Sequence, residues 1–213
     1  MILDVDGTVI DSNDAHARAW VDAAAALGYA IRYEDVRPLI GMGGDRIMPR
    51  LAGIEQDSPE GQALKEERGR IFRSQYLPHL EPLPRVRELI QRLRDDGFHV
   101  VVASSASEED LGRLLEQAGV ADLLEDTTSS SDAERSKPEP DIVEAAIAQA
   151  RPPRDRLVMI GDTPYDVEAA RRAGIPIIAV RSGGWDDPDL EGAVAVFEHT
   201  GQILDEYERV FSQ

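Results

Sequence analysis

Apolar positions along this chain follow two periods. After about residue 82, short runs of consecutive apolar residues alternate with stretches in which apolar side chains recur every three or four positions; before it, after a brief opening run, only the second pattern occurs. The runs from Phe98 to Ala103, Leu157 to Ile160 and Ile175 to Val180 predict strands, and Met1-Ile2-Leu3 predicts a further one. That first strand is short against the usual five or six residues, so it reads as clipped or as starting upstream. Val86, Leu89, Ile90 and Leu93 share one face and predict a helix from Pro84 to Asp96, closed by Gly97. Further helices are predicted from Glu108 to Gln117, from Pro140 to Ala150 and from Pro164 to Ala173, the last ended by Gly174. Between Asn13 and Leu80 the pattern is helical throughout: an Ala-rich stretch from Ala15 to Leu27 closed by Gly28, a second from Glu34 to Ile40, a third around Arg46 to Leu51, and a long one from Pro59 to Tyr76. The last opens on Ser58 as N-cap with proline in its first turn. Thr127 to Ser131 reads as a polar loop, and no internal repeat is evident.

Strands alternating with helices argue for an α/β fold, a Rossmann-like doubly wound parallel sheet with helices on both faces. Residues 1–13 and 82–213 would form this core and residues 14–81 an inserted all-helical unit. A length of 213 residues suits one packed core with a small insertion.

Charge and composition narrow the function. The 41 acidic against 23 basic residues give a formal charge of -18, which repels a nucleic-acid backbone, and no basic patch offsets it. Cysteine is absent, which excludes disulfides, thiolate nucleophiles and Cys-ligated zinc and suits a cytoplasmic protein. The apolar runs fall far short of the roughly 20 residues that span a bilayer. No basic segment follows Met1, so no signal peptide is expected.

Candidate chemistry lies in three tracts: Asp4-Val5-Asp6-Gly7-Thr8, Ser136-Lys137-Pro138, and Gly161-Asp162-Thr163-Pro164-Tyr165-Asp166. Asp4 follows the first predicted strand, Ser104 the strand ending at Ala103, and Asp162 the strand ending at Ile160, and parallel sheets place ligands beyond these carboxyl ends. Carboxylates converging there would repel by about 4 kcal/mol per pair at about 4 Å and an effective dielectric near 20. A dication removes that cost, and an oxygen-only donor set points to Mg2+. One of Asp4 and Asp6 would attack phosphorus while the other gives a proton to the departing oxygen and later activates water. Lys137 would hold negative charge, and a hydroxyl of Ser104 or Ser105 would donate to a phosphoryl oxygen, Ser104 being favoured as the first polar residue after the apolar run. An EF-hand reading of the first tract fails, because Val9 and Ala15 stand where that loop needs Gly and Glu. Asp162, Thr163 and Asp166 are also good helix-capping residues, a role compatible with metal binding.

Asp4-Val5-Asp6-Gly7-Thr8 with Asp11-Ser12, then Ser104, then Lys137-Pro138-Glu139-Pro140-Asp141, then Gly161-Asp162 with Asp166, resembles the four motifs of the haloacid dehalogenase superfamily in order along nearly the whole chain. Within it the chain is similar to the subgroup with a helical cap after the first motif, which includes phosphoglycolate-phosphatase-like enzymes and beta-phosphoglucomutases. The resemblance implies Asp4 as nucleophile and metal ligand, Asp6 as general acid and base whose backbone carbonyl ligates the metal, Ser104 and Lys137 as phosphate binders, and Asp162 with Asp166 as metal ligands or their supports. It also implies that residues 14–81 are the cap. Dehalogenase and phosphonatase members lack the second aspartate of the first motif, so Asp6 argues against both activities.

Substrate choice is expected to rest with this cap. The glycine-rich Gly41-Met42-Gly43-Gly44-Asp45-Arg46 lacks the lysine and strand context of a P-loop and reads as a turn facing the site. His16, Gly44, Arg46 and Ser105 are the candidate substrate residues, with Arg50 and Lys65 as further cations. Trp20, Met42 and Met48 read as cap core, and Trp185 as a loop residue near the site or a subunit contact. The expected activity is magnesium-dependent hydrolysis of a small phosphorylated metabolite through an aspartyl-phosphate, by a monomer or homodimer. A sugar-phosphate mutase is the alternative, lowered by the absence of the expected arginine spacing after Gly41. An idle phosphate-sensing module is the alternative from another class, and it would be expected to lose Asp4 or Asp6, which are both present.

Overall fold

A computed structural model describes residues 1–124 and 126–211. Six parallel strands form one sheet: β1 (Ile2–Leu3), β2 (Val101–Ala103), β3 (Asp126–Thr128), β4 (Met159–Gly161), β5 (Ile177–Val180) and β6 (Ala195–Phe197), in the order β3-β2-β1-β4-β5-β6. Pairing on both sides of β1 is in step, Ile2 lying opposite Val101 and Met159.

Because side chains alternate across a strand, the sheet feeds two apolar layers. Ile2, Val101, Ala103, Met159, Ile177 and Ala179 pack with α7 (Asp141–Gln149) and α8 (Pro164–Arg172). Leu3, Val102, Ile160, Ile178 and Val180 face the other way, among residues of α5 (Val86–Asp95), α6 (Glu108–Gln117) and α9 (Thr200–Asp205). A last short helix, α10 (Tyr207–Phe211), follows. The expected doubly wound core is therefore present.

Between β1 and α5 the chain is helical: α1 (Asn13–Ala26), α2 (Tyr33–Val36), α3 (Gly44–Ala52) and α4 (Pro59–Ile71). The stretch expected as one helix to Ile40 is a single α-turn followed by a 3-10 turn over Arg37–Leu39, since Pro38 has no N–H for the Glu34 carbonyl. The long helix keeps α geometry to Ile71 and then widens into a π turn over Phe72–Tyr76. Apolar contact runs unbroken from Trp20, Met48, Leu64 and Phe72 of this insertion through Val9 and Ile10 into the sheet layer that contains Leu3.

Two expectations are corrected. Thr127 and Thr128 are not loop: they pair with Val102 and Ala103, and the Thr128 hydroxyl donates to the Val102 carbonyl at 2.7 Å. A polar strand of which only Thr128 is buried carries no apolar run, so its sequence reads as a loop. The strand expected from Phe98 pairs only from Val101, opposite Ile2 and Asp126. Among the described residues no helix is long and apolar enough to cross a membrane.

Candidate active site

The carboxyl ends of β1, β2 and β4 are adjacent in the sheet, and they bring Asp4, Ser104 and Asp162 to one place. Asp4, Asp162 and Asp166 are buried, and one carboxylate oxygen of each lies within 4.8 Å of the others. Each is held by its own local device. Asp166 closes a capping box at the start of α8, with its Oδ2 accepting from the Thr163 amide at 3.0 Å and hydroxyl at 2.6 Å, which leaves Oδ1 for Lys137 Nζ at 2.7 Å. Asp162 accepts from Asn13 Nδ2 at 2.7 Å and the Thr8 hydroxyl at 3.3 Å. Gly7 and Gly183 pass so close to it that a Cβ on either would stand 2.1 Å from Asp162 Oδ2, and Gly7 also needs its φ of 76°. Lys137, 1% exposed, contacts Asp4 and reaches the Ala103 carbonyl at 3.3 Å.

These carboxylates are poised for a cation. Burial pushes Asp4 up to about 8; Lys137 pulls the other way, and Asp166 and Asp6 add to the rise. Burial likewise raises Asp162 well above the ordinary carboxylate range, with Asp166 and Asp4 contributing. Burial alone would lower Lys137, but Asp166 and Asp4 more than offset it and the ammonium is held charged. Three hard oxygen donors with one ammonium between them fit a magnesium-type ion, which takes carboxylates and keeps several waters.

The Asp6 side chain turns away from this trio. Its Oδ1 accepts from the Ser12 hydroxyl at 2.5 Å and lies 2.6 Å from His16 Nε2. Burial would raise Asp6, but His16, Ser12 and Arg68 outweigh it and hold the carboxyl at about 2. Two aspartates separated by one residue thus meet opposite environments.

A cavity of about 470 Å³ opens over Asp4 and Asp6, between the strand ends and the helical insertion. Of the candidate substrate residues, His16, Gly44 and Ser105 line it, whereas Arg46 is turned to Glu139 at 3.5 Å and Asp45 at 3.7 Å. Ser105 Oγ is buried with no partner. Ser104 is fully buried beneath, its hydroxyl accepting from the Ala106 amide at 3.1 Å. Lys65 is on the wall, while Arg50 leans on Met42 sulfur. Trp20, Met42 and Met48 are all buried as expected of core, with Trp20 and Met42 also facing the cavity. Trp185 meets Tyr165 edge-on at 6.3 Å. Sequence reasoning missed Arg68, Arg73 and Asp110 on the wall, and Asn13 behind Asp162. Arg68 and Arg73 sit in a run of surface-type charges, and Asp110 looks like an ordinary first-turn residue, so nothing local marked them.

A family model described as haloacid dehalogenase-like hydrolase matches residues 1–180. The chain belongs to this family. N-acetylmuramic acid 6-phosphate phosphatase of Pseudomonas aeruginosa is 26% identical over 217 residues, covering 98% of the chain and 94% of that protein. A phosphoglycolate phosphatase of Vibrio parahaemolyticus is 30% identical over 182 residues, 80% of this chain and 78% of its own. Among solved structures, a hydrolase from Pseudomonas syringae matches with a TM-score of 0.90 and 26% identity, covering 98% of this chain and 97% of that one. The resemblance drawn from the four motifs is thus borne out at the level of family and fold, and the chain is a hydrolase of this family.

Proposed function

We propose that the protein is a magnesium-dependent phosphomonoester hydrolase acting on a small phosphorylated metabolite, with residues 14–81 as a cap. The observation that carries this reading is the divergence of Asp4 and Asp6: the first points into a buried cluster of carboxylates around Lys137, the second to Ser12 and His16, and both line one cavity. The phosphatase names of the Pseudomonas and Vibrio relatives support the same class of reaction.

Asp4 Oδ attacks phosphorus, the bond to the leaving oxygen breaks, and Asp6, which must first take up a proton from water against the donors that hold its carboxyl low, gives that proton to the leaving oxygen. The product is an aspartyl-phosphate on Asp4 and an ionised Asp6. Asp6 then takes a proton from water, whose oxygen attacks phosphorus, and Asp4 departs as carboxylate with free phosphate. Lys137 opposes the charge that gathers on the phosphoryl oxygens, and the unpartnered Ser105 hydroxyl and its neighbour Ser104 are the donors from the end of β2. Asp4, Asp162 and Asp166, with the Asp6 carbonyl, would hold magnesium, which when bound supplies the positive charge that keeps Asp4 ionised and draws the phosphoryl group onto it. With substrate seated against it, the helical wall would exclude bulk water and so strengthen these interactions.

Incubation with magnesium and an aryl phosphate tests the reading: phosphate is released by the wild type, and Asp4→Asn lowers the rate at least about 10³-fold. Hexose 1-phosphate in the same assay gives phosphate rather than its 6-phosphate isomer. A wild type silent across a panel of phosphorylated acids and sugars refutes hydrolysis, and isomer formation replaces it with mutase activity.

A further inference from the structure

Beyond Asp4 and Asp6, the wall of the cavity must seat the alcohol from which the phosphoryl group is taken. Its arginines are already engaged. Arg68 and Arg73 both meet Asp110, at 3.6 Å and 2.9 Å, and Arg73 also reaches Glu109 at 3.8 Å. Arg46 is held by Glu139 and Asp45, and Arg50, which does not line the cavity, gives its protons to Met42 sulfur at 3.1 Å and the Arg46 carbonyl at 3.2 Å. An acidic group on the substrate would have to displace one of these partners, and the displaced carboxylate would then face it.

The charges left over have the wrong sign for an acid. Among the described residues, the wall groups that enter no ion pair are Lys65, Glu66 and Glu134, one exposed ammonium against two carboxylates. A second negative charge on the substrate meets that surplus inside a chain whose formal charge is already -18. Uncharged polar groups are better supplied. Ser105 Oγ is buried without a partner, and the Ser107 hydroxyl accepts from the Asp110 amide at 3.2 Å and keeps its own proton to give. Ser130 and Gln56 line the same cavity, and neither side chain has a hydrogen bond among the described residues. Hydroxyls and amides both give and accept, which is the chemistry that recognises other hydroxyls. Trp20, Met42 and Ile47 add an apolar stretch on which C–H faces can lie.

We propose that the cavity selects phosphate monoesters whose alcohol part is uncharged and hydroxylated, and rejects those that carry a second anionic group, a carboxylate or another phosphate. Rejection comes from the unpaired Glu66 and Glu134 and from the commitment of every wall arginine to a carboxylate of the protein. The inference rests on the reading of the site as a phosphatase and names the class of alcohol that it releases.

Matched pairs that differ only in a CH2OH group against a carboxylate test it, with magnesium and at one ionic strength: sorbitol 6-phosphate against 6-phosphogluconate, and glycerol 3-phosphate against 3-phosphoglycerate. In each pair kcat/KM is expected to be at least about 10-fold higher for the uncharged member. Glu66→Gln combined with Glu134→Gln removes the unpaired carboxylates, raises kcat/KM for the acidic members and narrows the ratio by about 3- to 10-fold. Equal or higher kcat/KM for the acids, or a ratio that the double variant leaves unmoved, overturns the proposal while hydrolysis itself stands. Should neither member of either pair be hydrolysed, the phosphatase reading is the one in trouble, and calorimetric titration of the same four compounds onto the wild type with magnesium decides the preference. Tighter binding of the polyol phosphates supports it; equal or tighter binding of the acids, or no binding of any of them, overturns it.

Discussion

The sheet end of the cavity and its helical end both bury charge, but in different ways. At the sheet end, three carboxylates face one ammonium, and the surplus negative charge is contained by burial that raises Asp4 and Asp162. At the helical end, Arg68 and Arg73 share Asp110, and Arg73 also reaches Glu109 at 3.8 Å, so two arginines face two carboxylates. The first end carries a surplus of carboxylates that a cation would offset, and Asp4 and Asp162 stand at strand ends while Asp166 stands in the first turn of α8. The second end is nearly self-satisfied, and it exists only where α4 and α6 are held together. The lesson is that the carboxylate cluster is placed by the core, whereas the surroundings of Asp6 depend on how the helices between β1 and α5 are seated.

The contrast can be broken most severely at Lys137. Lys137→Met leaves Asp4 and Asp166 buried without their counter-charge, and urea unfolding without metal should show a loss of about 3–5 kcal/mol. A loss below about 1 kcal/mol would mean that Lys137 does little to offset the buried carboxylates. Next is Gly183→Ala, whose Cβ would stand 2.1 Å from Asp162 Oδ2 and must displace it. Magnesium at a hundred times its Kd should stabilise the wild type by about 2.7 kcal/mol, and the variant by far less at the same concentration. Equal stabilisation would take Asp162 out of the metal site.

Acidity sharpens the comparison further. Asp4 titrates near 8 in the folded metal-free protein against 3.8 in an unstructured chain. The folded state thus keeps a proton that the unfolded state releases between about pH 4 and pH 8. Metal-free wild type should lose stability relative to Asp4→Asn across that window and stay level above it, as read by urea unfolding in chelator; a constant difference would refute the raised value. The smallest effects belong to cations on the insertion. Lys65→Ala, on the cavity wall, should raise KM by about 3- to 10-fold with kcat held, whereas Arg46→Gln, turned to Glu139, should change it less than about twofold.

Much of the core was legible because its chemistry is local. Strand runs of Val, Ile and Leu ended at Asp4, Ser104 and Asp162, and the structure puts those ends side by side. Thr163 and Asp166 read as capping residues and form a capping box that also presents Asp166 to Lys137. Pairings between distant segments left no such trace. Asn13 meets Asp162 across 149 positions and Arg73 meets Asp110 across 37, and neither residue type is unusual where it stands. The β3 strand escaped for a related reason: it is defined by hydrogen bonds to β2, not by an apolar run.

What the sequence by itself determined is the alternation of β1, β2, β4 and β5 with their helices and the identity of the acidic residues at the strand ends, because hydrophobic period and turn chemistry act over a few neighbours; β3, β6 and the helices after β6 did not show in it. Only the tertiary structure decided which carboxylates share a cluster, that Asp6 turns from Asp4 toward His16, and which cations face the cavity. Those outcomes depend on distances between segments far apart in the chain, and burial, which sets the charge of Asp4 and Asp162, exists only once the segments have packed.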